Sequence, residues 1–135
     1  MREILFRGKR LDNGEWVYGL LCRVGDTYAN IRRMDTEVLY SVLTNTIGQF
    51  TGLTDKNGKK IFEGDVLNVH DQIPMFDGYN TDEIIYNGKV MYIKNQGMYV
   101  CEGNNDGNAL CALNLDECEV IGNIHDNPEM LEVTK

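Results

Sequence analysis

Three times in this chain an Asn-Gly pair introduces an apolar run: Asn13-Gly14 before Trp16-Val17-Tyr18, Asn57-Gly58 before Ile61-Phe62, and Asn87-Gly88 before Val90-Met91-Tyr92. A two-residue type I′ turn needs positive φ at both central positions, which Asn tolerates and Gly takes without steric cost. Each pair therefore predicts a tight turn entering a strand, and a chain punctuated in this way is constrained to antiparallel ribbons. Around the first turn, residues 3–7 and 15–21 supply arms rich in aromatic and branched side chains. Trp16, the single tryptophan, lies inside one of these arms, where a core or cross-strand anchor is the expected role. A further hairpin follows from residues 88–94 and 98–102, joined through Asn95-Gln96-Gly97.

The segment 37–43 satisfies the apolar spacing of a short helix nearly as well as that of a strand, and its branching and short length favour the strand. Residues 118–124 read as a final strand. Asn127 as cap, Pro128 at the first helical position and Glu129 in the first turn then predict a short C-terminal helix. Residues 70–83 hold Pro74, Gly78 and several Asn and Asp residues, which predicts a long loop.

No low-complexity linker divides the 135 residues, so one domain is expected. No run approaches the roughly 20 apolar residues of a membrane helix, and the N-terminus lacks the apolar stretch of an export signal, so a cytoplasmic location is expected. The four cysteines, Cys22, Cys101, Cys111 and Cys118, have no paired spacing, which argues for reduced thiols at buried or half-buried strand positions and against a zinc site. A net charge of -8 disfavours nucleic acid as a partner, because phosphate binding draws on clustered Lys and Arg. The charge is uneven, however: residues 1–33 carry seven basic side chains against four acidic ones.

No arrangement of His70 or His125 with a nucleophile or carboxylate is recognisable as a catalytic unit, so no catalytic residues, metal or cofactor are assigned. Glu63 and Asp65 flank Gly64 at a strand entry, where solvated or backbone-capping carboxylates are the better reading than an acid–base pair. Arg23, Tyr28, Arg32 and Arg33, with the loop aromatics Phe76 and Tyr79, form a candidate interaction surface, since Arg and Tyr suit both protein contacts and base stacking.

The run from Gly48 to Val66, GQFTGLTDKNGKKIFEGDV, resembles the central signature of the YopX family. The opening REILFRGK with GEWVYG, and the closing VIGNIHDNPE, resemble the start and end of that family, in the same order. The resemblance implies a phage- or prophage-encoded protein with an N-terminal β section over residues 1–47 and an SH3-like β-barrel over 48–135. It implies no catalytic residue set. The chain departs from the family pattern in its insert-like 70–83 loop.

Three functions follow in order of expectation. The first is a non-enzymatic protein-interaction or self-assembling module, forming a homo-oligomer or holding a host or phage protein. The second is a small nucleic-acid-binding barrel using Arg23, Arg32 and Arg33. The third is an enzyme whose site assembles from the 70–83 loop through His70, Asp71 and Asp82.

Overall fold

The computed structural model describes residues 3–74, 77–79, 81–103, 107–110 and 113–131. Among the described residues eleven strands and short 3₁₀ turns make up the regular structure, and the chain divides into two compact units, Met1–Gly52 and Leu53–Lys135.

In the first unit, β1 (Phe6–Lys9), β2 (Trp16–Val24), β3 (Tyr28–Arg32) and β4 (Leu39–Leu43) form successive antiparallel pairs, and the start of β5 (Gly48–Thr54) pairs with β1. The ambiguous segment 37–43 is thus resolved as the strand β4. Alternation along β3 puts Ala29 and Ile31 inside and Tyr28 and Arg32 outside, as expected of a sheet with one dry and one wet face. Ala29 and Ile31 join Val17 and Val42 in a buried cluster, against which Phe6, Leu21, Tyr40 and Ile47 pack. An antiparallel bridge between Arg10 and Val42, with the Leu11 N–H donating to the Ser41 carbonyl at 3.0 Å, ties the outer edge of β4 to the end of β1. Gly8 permits this return, because a Cβ there would stand 2.9 Å from Val42 Cγ2.

In the second unit, β6 (Lys60–Phe62) completes a hairpin with β5. The remaining strands are β7 (Asp65–Pro74), β8 (Thr81–Ile93), β9 (Met98–Glu102), β10 (Gly107–Ala109) and β11 (Glu119–Asn123). The sheet order β10-β9-β8-β7-β11 is a meander whose last strand returns beside β7. Among the described residues no pairing joins β10 to β11. Ile61, Leu67, Val69, Val90, Cys101, Leu110, Leu113 and Cys118 form the core. The hairpin expected across residues 95–97 is present, with Tyr92 opposite Tyr99 and their rings edge-to-face at 5.0 Å.

Three sequence expectations need correction. The first two Asn-Gly turns are wider than type I′: Arg10 and Glu15 close a four-residue loop, and Asp55 and Lys59 a three-residue one. Only Gly14 and Gly58 take positive φ, at 73° and 77°, so the preceding Asn stays on the ordinary side of φ. At the second turn the reason is visible, since Asp55 Oδ1 accepts from the N–H groups of both Asn57 and Lys59 at 2.9 Å and so favours the wider loop. The third Asn-Gly is no turn at all. Asn87 and Gly88 lie inside β8, opposite Asn68 and Leu67, where long-range pairing with β7 overrides local preference.

The expected 70–83 loop is mostly ribbon, because β7 and β8 stay paired out to Pro74 and Thr81. Pro74 ends its strand, where a missing N–H is tolerated. The C-terminal helix is a four-residue 3₁₀ segment, Pro128–Leu131. Gly52, inside β5, and Gly64, just past β6, both take positive φ, at 90° and 92°. Asp65 is buried and caps the backbone, accepting from the Phe62 N–H at 2.7 Å.

Candidate interaction surface

Residues directly opposite in an antiparallel pair share a face. Applied to the first unit, the register puts Leu20, Arg32 and Leu39 in one row across β2, β3 and β4 on the outward face. Tyr18 opposite Arg7, Trp16 opposite Lys9, and Arg23 opposite Asn30 continue that face, with the Arg7 side chain itself buried. Leu20, Leu39, Tyr18 and Tyr28 are 41%, 55%, 44% and 53% exposed, a high value for large apolar side chains on a strand. Trp16 is half-buried, with the Arg7 guanidinium 4.7 Å and the Lys9 ammonium 5.7 Å from its ring centre, so it is the cross-strand anchor expected.

The two loops at one end of this face are copies of each other in backbone and chemistry. In residues 10–15 and 33–38 the first N–H donates to the sixth carbonyl, and the fifth N–H to the first carbonyl. In both, the arginine grips the aspartate two residues on with two hydrogen bonds, Arg10 to Asp12 at 3.0 and 2.7 Å and Arg33 to Asp35 at 3.0 and 2.6 Å. These hydrogen bonds hold both carboxyls below, and both guanidiniums above, their ordinary ranges. The fifth position takes positive φ in each, as Gly14 at 73° and as Glu37 at 61°. Glu37 is the one such non-glycine among the described residues, and its carboxylate reaches Arg32 at 3.2 Å. A groove of about 400 Å³ lined by Leu5, Trp16, Tyr18 and Met34 opens beside the second loop.

The structure therefore brings Arg23, Tyr28 and Arg32 onto one face, with Arg33 just past its end and committed to Asp35. Tyr79 belongs to the second unit, at the tip of the β7–β8 hairpin and 94% exposed. Phe76 lies outside the described residues. Sequence reading missed Tyr18, Leu20, Leu39 and Glu37. Residues 16–21 are nearly all apolar, so no alternation marked which of them faces outward.

In the second unit, His70 is bound on both sides, Nδ1 to Glu83 Oε1 at 3.1 Å and Nε2 to Asn68 Oδ1 at 2.9 Å. Asn68 donates to Asn87 Oδ1 at 3.0 Å, and Asn87 to the Met130 carbonyl at 3.0 Å. This chain of amides fastens the C-terminal 3₁₀ segment to the sheet, a structural role for the histidine. The side chains of Asp71 and Asp82 lie outside the described residues. Cys101 and Cys118 are buried free thiols, and burial, reinforced by Cys118, pushes the Cys101 thiol up to about 12. Cys22 is exposed. A thiol reagent at pH 8, followed by peptide mass spectrometry, is expected to label Cys22 and to leave Cys101 untouched until the chain unfolds. Equal labelling of the two in the folded chain would contradict this burial.

Comparison with known proteins bears on the whole chain. No curated protein matches it. The crystal structure of protein EF1440 from Enterococcus faecalis aligns with a TM-score of 0.56 and 24% identity over 98% of this chain and 100% of that one, a likeness of fold alone. The sequence model of the YopX protein matches residues 5–132, nearly the whole chain, and on that match the protein belongs to the YopX family.

Proposed function

We propose that this chain is a non-enzymatic interaction module of phage or prophage, working in the bacterial cytosol and self-associating through the outward face of β1–β4. The observation that carries it is the exposed row Leu20–Arg32–Leu39, flanked by Tyr18 and Tyr28. Nine of the thirteen exposed large hydrophobics among the described residues precede Leu53. Aromatic side chains and Arg within an apolar patch are the composition of a protein-binding core. The edge of β4 is tied back to residues 10 and 11, so the face, rather than an open strand edge, is the surface on offer. An SH3-like arrangement of the part from residue 48 onward agrees with a five-stranded meander whose last strand returns beside the first.

The test is sedimentation velocity from low to high micromolar concentration. The wild type is expected to associate, and Leu20→Glu to weaken association by more than about 30-fold, the effect of losing a hot-spot contact worth about 2 kcal/mol. A wild type that stays monomeric throughout the range would sink the reading.

A second reading is favoured by one observation, the flanking of Trp16 by Arg7 and Lys9 on the same face as Arg23 and Tyr28, which resembles a stacking platform for single-stranded nucleic acid. Against it, Arg7 is buried, Arg10, Arg32 and Arg33 are each engaged by a carboxylate, and the whole chain carries -8. A mobility shift of single-stranded DNA or RNA at low salt, lost on raising salt, would promote this reading over the first.

A further inference from the structure

Resting on the self-association reading, we infer that Glu37 and Arg32 are the specificity pair of that interface, each reaching across a two-fold axis to its counterpart on a second copy. Arg32 stands in the middle of the apolar row, between Leu20 and Leu39. A guanidinium covered there without a carboxylate would oppose binding, so an interface on this row needs a negative group beside Arg32, from its own copy or from the other. Within one copy Glu37 already meets Arg32 at 3.2 Å, but both side chains are open to water, Arg32 49% and Glu37 72% exposed. Such an exposed pair is weak and easily exchanged. A two-fold interface is self-complementary, so if Arg32 of one copy meets Glu37 of the other, the reverse contact forms as well. One patch that carries both signs beside its apolar row is matched by a second copy of itself.

The backbone at Glu37 is an independent observation. At the same place in the twin loop stands Gly14, the residue that accepts positive φ freely, whereas Glu37 holds φ at 61° against steric resistance. The loop geometry alone calls for glycine. What Glu37 adds over glycine is a carboxylate beside Arg32.

The experiment is a charge exchange between copies, read by sedimentation velocity. Arg32→Glu and Glu37→Arg are each expected to weaken self-association on the order of 100-fold, since each copy then opposes like charges to itself. An equimolar mixture of the two variants is expected to recover association close to wild type, because each supplies what the other lacks. Glu37→Gly serves as the fold-neutral check: it relieves the backbone, so its melting temperature should hold or rise, while its self-association weakens about 10-fold or more. If the mixture stays monomeric while the wild type associates and Leu20→Glu does not, the exchange is overturned and the face stands. Glu37→Gly associating as well as wild type overturns it equally. A monomeric wild type removes both the exchange and the reading it rests on.

Discussion

Replacing Asp55 by alanine is expected to destabilise the chain by about 3 kcal/mol, enough to move the urea midpoint well below that of the wild type. This carboxylate is buried and accepts three backbone N–H groups at 2.9 Å, those of Asn57, Lys59 and Val120. It therefore shapes the turn after β5 and, across 65 positions of sequence, joins that turn to β11. Hydrogen bonds to a charged acceptor are worth about 1.5–3 kcal/mol each, and donors left without a partner add a desolvation cost. Asparagine, which keeps one acceptor oxygen, should fall between the two.

The same group predicts a pH signature. Burial pushes the Asp55 carboxyl up, but the N–H groups of Val120, Lys59 and Asn57, together with the Lys59 charge, more than offset this, and the net shift is downward. A carboxyl lowered in the folded state stabilises fully above its unfolded pKa of about 3.9, and that contribution drains away as pH falls through the folded value. The stability gap between wild type and Asp55→Asn, followed by urea unfolding, should therefore be constant from about pH 7 to pH 5 and narrow at more acid pH. A gap that instead widened toward acid would show that Asp55 is not held as the anion.

The second large effect is expected at Gly19. This residue lies in β2 with Phe6 opposite on one side and the end of β3 on the other, and a Cβ would collide outright with the Arg32 carbonyl oxygen. Backbone cannot move aside as a side-chain tip can, so Gly19→Ala should cost about 3 kcal/mol or more and open the β2–β3 pairing. Hydrogen exchange should show protection lost in β2 and β3. Gly14→Ala provides the contrast: its Cβ meets nothing within 4 Å, and only its φ of 73° resists, a penalty of about 1–2 kcal/mol.

Much of this architecture was readable before any coordinates. The first hairpin, with its leading arm at 6–9 rather than 3–7, and the hairpin through 95–97 follow from apolar alternation and from residues that accept positive φ. The face is also partly written there, since Tyr28-Ala29-Asn30-Ile31-Arg32 alternates cleanly and puts Tyr28 and Arg32 on the side away from the core. Sequence adjacency makes Arg33 their companion, but it falls past the strand and turns to Asp35.

What local chemistry settled alone was the strand-and-turn grammar, because φ preference and alternating burial are properties of a few neighbouring residues. What only the tertiary structure decided depended on distant partners. Asn87-Gly88 carries the same turn signal as Asn57-Gly58, yet it runs straight through β8, since β7 pairs along it and a Cβ at Gly88 would stand 2.6 Å from Cys101 Sγ. Leu20 and Leu39 became neighbours of Arg32 only when three strands took their register, and register is set by the packing of the whole sheet rather than by any single segment.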